Sequence, residues 1–99
     1  MIRLARITLA MPGKVFELAA ALKEVASVVH AVAGVEVQAF ASMGAQVGEM
    51  VAVSNYASLA EFEEKSAKIL ASPEYQAAVR KLEGLVVPGA PRDHLLRLM

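Results

Sequence analysis

The chain has no cysteine, no tryptophan and no surplus of charge of either sign. Without cysteine there can be no disulfide, no thiol nucleophile and no thiolate metal site. Lys plus Arg is 10 and Asp plus Glu is 10, so the formal charge is zero. A nucleic-acid binder normally carries a basic surplus to neutralise phosphates, so that partner class is not expected. No apolar run reaches the length of about 18 residues that a membrane span needs, so no membrane partner is expected. Met1 to Met11 contains Arg3 and Arg6 but no signal-peptide h-region before a cleavage site, and a cytoplasmic location is the expectation. The two histidines, His30 and His94, lie far apart and match no familiar ligand spacing, so no metal is expected. Gly44 and Gly48 read as turn glycines rather than a phosphate-binding loop, and nothing in the residues calls for a cofactor.

What is present is a short, strongly apolar chain. Ninety-nine residues, 1–99, make one domain. The hydrophobic fraction is 57%, which excludes disorder. It is also more apolar surface than a domain of this size readily hides, so a second copy of the chain is the expected partner.

Ile2 to Leu9 reads as a strand, punctuated by Met11-Pro12-Gly13, with Pro12 placed to open a helix. Lys14 to Val32 carries Val15, Leu18, Ala19, Leu22, Val25, Ala26 and Val29 at helical spacing. Gly34 is placed to end that helix as a left-handed cap. Val35 to Met43 alternates with period two, Gly44 to Gly48 is a turn, and Glu49 to Tyr56 is a second strand of a hairpin. Ser58-Leu59-Ala60-Glu61 is a capping box that starts a helix running to about Ala71. Glu61 with Lys65 and Glu64 with Lys68, each four apart, mark its outer face. Ser72-Pro73 restarts the helix, and Gly84 is placed to stop it. Arg92 to Met99 is a last strand after the loop at Val87-Pro88-Gly89-Ala90-Pro91.

The order β-α-β-β-α-β is the split βαβ arrangement of ferredoxin-like α+β folds. Both helices would lie on one face of a four-stranded antiparallel sheet, leaving the other face open. Ile2, Leu4, Phe40 and either Leu95 or Leu96 are expected on that open face. Two copies packed sheet to sheet would cover it, and polar residues caught between them would line a cavity.

With these elements the chain resembles the dimeric α+β barrel superfamily. It is most similar there to the NIPSNAP-like proteins and more distantly to the antibiotic-biosynthesis monooxygenases. The resemblance rests on Arg6-Ile7-Thr8, Pro12-Gly13-Lys14, Ser54-Asn55-Tyr56, Ser58-Leu59-Ala60-Glu61, Ser72-Pro73-Glu74-Tyr75 and Leu95-Leu96-Arg97-Leu98. These are turn, cap and strand markers, not a catalytic signature. The NIPSNAP-like pattern usually has an aromatic two residues after the first-strand arginine and tryptophans further on; here Thr8 stands at the first position and Tyr75 in the second helix. The resemblance implies a homodimer. Its members range over cofactor-independent oxygenases, haem-degrading enzymes, lactone isomerases and proteins with no known chemistry, so fold does not fix activity.

Six residues are the candidate site. Arg6, if it shares the dimer-facing side of its strand with Ile2, Leu4 and Thr8, offers a planar donor fork for a carboxylate, enolate or phenolate; the alternative is a salt bridge to Glu36 or to the second copy. His94 and Tyr56 are candidate proton-transfer groups. Gln38, Phe40 and Asn55 are candidate ligand contacts, with a one-residue register slip able to reverse every facing. The expected function is a dimer that binds a small organic ligand, as a cofactor-independent oxygenase or isomerase. The alternatives are a non-catalytic binding dimer and haem handling through His94.

Overall fold

A computed structural model describes residues 1–44 and 47–99. The elements run β1 (Ile2–Leu9), α1 (Val15–Ala33), β2 (Val37–Ala41), β3 (Glu49–Tyr56), α2 (Leu59–Leu70), α3 (Pro73–Arg80) and β4 (Arg92–Arg97). The strands form one antiparallel sheet in the order β2-β3-β1-β4. Each helical crossover therefore skips a strand, as the split βαβ arrangement requires.

The helix ends follow local chemistry. Gly34 takes φ 68° and its N–H donates to the His30 carbonyl, the left-handed cap expected of it. The Ser58 side chain accepts from the Glu61 N–H at 3.2 Å, and the Glu61 carboxylate reaches back to the Ala57 N–H at 3.2 Å. The Ser72 hydroxyl accepts from the Tyr75 N–H at 3.2 Å, with Pro73 at the first helical position.

Four local expectations are corrected. Pro12 lies before α1, in a turn closed by the Lys14 N–H on the Met11 carbonyl at 2.9 Å. Gly13, at φ 78°, supplies the positive φ that such a turn needs at its third residue. β2 is shorter than the alternation suggested, because Val35 turns into the core. Lys65 does not pair with Glu61; its ammonium donates to the Ala33 carbonyl at 2.8 Å and satisfies the end of α1 instead. Helix α3 ends at Arg80, before Gly84. Of the expected 44–48 turn, Ala45 and Gln46 lie outside the described residues.

Register settles the facing of every strand residue. Ile2, Leu4, Arg6, Thr8 and Ala10 share a face with Met50, Ala52, Ser54 and Tyr56, and buried residues Ile2, Thr8, Met50, Ser54 and Tyr56 identify it as the helix-covered one. The expectation that Ile2, Leu4, Arg6 and Thr8 lie on the open, dimer-facing side is therefore wrong. Phe40 and Leu96 do lie there, across from Val51 and Arg3. They join Ala5, Ile7, Leu9 and Val53 in a largely apolar open surface.

The core on the helix side is split. Ile2, Val29, Ala33, Val35, Tyr56 and Ile69 form one cluster. Ala10, Leu18, Leu22 and Met50 form the other. The strand positions between them carry the small residues Thr8, Ala52 and Ser54, and Arg6, which points its guanidinium toward β4 and α3.

Candidate functional site

Because three of those central side chains are small, the sheet and helices leave between them a cleft of about 610 Å³ that opens to solvent. Thr8, Ala52 and Ser54 form its floor, and Leu22, Val25 and Val29 of α1 contribute to its wall. Phe62 and Ile69 of α2, and Tyr75 and Val79 of α3, line it further. Most of this surface is apolar. The cleft lies on the helix-covered face, on the side of the sheet opposite to the face expected to pack against a second copy.

Its polar end is built by two neighbouring strands and one helix. Arg6 on β1 stands directly across from Asp93 on β4. The guanidinium grips the carboxylate with two bonds, Nε to Oδ1 at 2.7 Å and Nη2 to Oδ2 at 2.8 Å. A third donor, Nη1, reaches the Tyr75 phenol oxygen at 3.3 Å. Tyr75 is placed there by the Ser72 cap, which fixes where α3 begins. Both charged side chains of the pair are 45% exposed, so the pair sits where the cleft meets solvent. The hydrogen bond from Arg6 holds the Asp93 carboxyl below the ordinary carboxylate range, against partial burial that acts the other way. The same bond raises the guanidinium pKa, against burial that lowers it. Both groups are therefore charged throughout the physiological range.

Deeper in, the Ser54 hydroxyl donates to the Tyr56 oxygen at 3.2 Å, both residues being buried. The Tyr56 ring meets Phe62 edge to face with centroids 5.1 Å apart. Tyr56 thus packs beneath α2 with its hydroxyl turned inward.

The six expected residues divide between the faces of the sheet. Arg6 and Tyr56 line the cleft. His94 pairs across from Ala5 and stands on the open face, so it cannot ligate or exchange a proton with a group held in the cleft. Gln38 and Asn55 lie on the open face beside a shallow depression of about 230 Å³ with Glu36 and Val53. There the Asn55 side-chain oxygen accepts from Arg3 Nε at 2.9 Å. Phe40 is on the same face, 52% exposed. Arg6 does form an ion pair, but with Asp93 rather than with Glu36. Among the described residues no cluster of His, Asp and Glu could hold a metal ion. No helix among them is long and apolar enough to cross a membrane.

Sequence reasoning missed Asp93 and the polar role of Tyr75. Asp93 lies 87 residues from Arg6, and only the β1–β4 register joins them. The available signal was parity: Asp93 and His94 are adjacent in a strand, so one of them had to share the Arg6 face.

No family model matches the chain, and no curated protein matches it by sequence. Solved structures do match in fold. An uncharacterized NIPSNAP domain protein from Burkholderia xenovorans superimposes with a TM-score of 0.85 at 14% identity, over 100% of this chain and 95% of that one. A NIPSNAP family protein of unknown function from Agrobacterium tumefaciens gives 0.81 at 18% identity, over 97% and 86%. More distant is a Deinococcus radiodurans protein provisionally named an antibiotic biosynthesis monooxygenase. It gives a TM-score of 0.74 at 16% identity, over 100% and 93%. The chain has the ferredoxin-like α+β fold of NIPSNAP-type proteins.

Proposed function

We propose that the protein binds a small, mostly apolar organic molecule in the cleft between sheet and helices. One observation carries this reading: a space of about 610 Å³ separates the two halves of the core. Protein interiors are close-packed, with few voids larger than a water molecule. An open cleft of this size leaves its apolar walls in contact with water, and an apolar molecule seated there removes that surface from water. Water fills such spaces poorly where polar partners are few. The size and the apolar lining, with a few polar groups gathered at one end, are those of ligand pockets.

The working unit in this reading is a homodimer. Ala5, Ile7, Leu9, Val51, Val53, Phe40 and Leu96 form an apolar open face larger than the scattered exposed side chains of ordinary monomers. A second copy packed against it removes that area from water, with Arg3, Asn55, Gln38 and Glu36 as polar groups on the same surface. The cleft of each copy lies on the other side of its own sheet and does not depend on this contact for its lining.

A second reading, turnover of the bound molecule, is favoured by Tyr75. Its phenol lies in the cleft, held by the Arg6 guanidinium, and can hold or pass a proton at a ligand oxygen. Native mass spectrometry of freshly purified protein tests both the dimer and the binding reading. A dimer retaining a small molecule is expected. A monomer would remove the dimer, and a chain that neither retains nor takes up any apolar molecule would remove the cleft as a binding site. Recovery of an added molecule with altered mass would separate turnover from binding.

A further inference from the structure

Resting on the cleft as the binding site, we infer that its ligand is uncharged, a ketone, phenol or alcohol rather than a carboxylate, and that Asp93 is the residue that sets this specificity. An arginine in an apolar cleft ordinarily recruits an anion, because its planar fork matches a carboxylate. Here the fork is already engaged on its Nε edge. Nε and Nη2 of Arg6 hold both oxygens of Asp93 at 2.7 and 2.8 Å, which takes one of the two-donor edges that an incoming carboxylate would seek. The next donor, Nη1, is directed at the Tyr75 phenol.

Charge counting points the same way. Among the described lining residues Arg6 is the one cation, against two carboxylates, Asp93 and the exposed Glu83. A carboxylate entering the cleft would meet a net negative lining, would find the Arg6 charge already neutralised by Asp93, and would surrender its hydration to apolar walls. A neutral oxygen needs none of this. The Tyr75 oxygen accepts from Arg6, and its own proton remains to be given to a ligand carbonyl or hydroxyl. The guanidinium behind it polarises that phenol without demanding a counter-ion from the ligand. Asp93 thus acts as a built-in anion that fills the place a charged ligand would take.

Two probes of matched shape decide this: 2-acetylnaphthalene, a ketone, and 2-naphthoate, which carries a charged oxygen in place of the methyl group. Equilibrium dialysis against the full-length protein gives both affinities. The ketone is expected to bind wild type at least about tenfold more tightly, the discrimination of one charged group left without a hydrogen-bonding partner. Asp93→Asn keeps the shape and removes the competing charge. It is expected to raise naphthoate affinity about tenfold or more while moving the ketone less than about threefold. Naphthoate binding wild type as tightly as the ketone, or a preference unaltered by Asp93→Asn, overturns the inference and leaves the binding site standing. Failure of both probes to bind either protein removes the site and the inference together. Should Asp93→Asn not fold, the wild-type ratio decides alone.

Discussion

The substitution Ala52→Leu tests whether the cleft is real space or a gap that closes. Ala52 stands on the cleft floor, across from Arg6 on one side and Ala39 on the other. Leucine adds three apolar carbons that would project into the space between the core clusters. At about 0.8 kcal/mol per buried methylene, the transfer gain is roughly 2.4 kcal/mol. Fixing the leucine rotamer costs about 0.5–1 kcal/mol. The net expectation is a stabilisation of roughly 1.5 kcal/mol, which for a domain of this size raises Tm by about 6–12 °C. Affinity for 2-acetylnaphthalene should fall at least about tenfold, since the added carbons occupy the ligand's volume. Thermal denaturation by circular dichroism, at matched protein concentration, and dialysis of the probe measure the two effects. If the helices in solution already close on the sheet, leucine overpacks the core and costs about 1–3 kcal/mol. A lowered Tm would therefore refute the reasoning, whatever the binding result.

Three further outcomes are expected. Ile7→Asp puts a charge in the middle of the open sheet face; the proposed dimer should appear in sedimentation equilibrium for wild type and be lost in this variant, with little change in the helix-side fold. Ser72→Ala removes the cap of α3 and should cost about 1 kcal/mol in urea unfolding; because the same cap places Tyr75, probe affinity should fall as well. The Arg6–Asp93 pair gives a pH dependence of known sign. The folded Asp93 pKa lies below its unfolded value, so the contribution of the pair is present above the unfolded pKa and is lost as pH falls through the folded one. The stability difference between wild type and Asp93→Asn should therefore be full above about pH 5 and fade below about pH 4. With both side chains nearly half exposed, its size is that of a partly screened pair, about 1 kcal/mol or less.

The elements were legible in the sequence because their signals are local. Gly34, Ser58 with Glu61, and Ser72-Pro73 each mark a helix boundary through one or two residues, and the structure places caps at all three. Strand β3 runs from Glu49 to Tyr56 as its alternation suggested. The facing of β1 was not legible. Arg3 and Arg6 fall on opposite faces, as do Leu4 and Ile7, so polarity gives that strand no inside. Only its pairing with β3 decides, and a shift of one residue exchanges the faces. The cleft was hidden for a related reason. It is made by what Thr8, Ala52 and Ser54 lack, and their smallness has consequence only once Leu22 and Val25 of α1 lie above them. Asp93 belongs to the site through a register spanning nearly the whole chain. Gln38 and Phe40 were read as sharing a wall with Glu36, and Gln38 and Phe40 do share a face, the one away from the cleft.

The most direct test of the cleft as the binding site is a titration of isotope-labelled protein with 2-acetylnaphthalene, followed by amide chemical shifts. The account predicts saturable shifts at Thr8, Ala52, Ser54 and Tyr75, with Ala5, Phe40 and His94 on the opposite face of the sheet unmoved. Shifts confined to Ala5, Phe40 and His94 would place the ligand on the open face and contradict it.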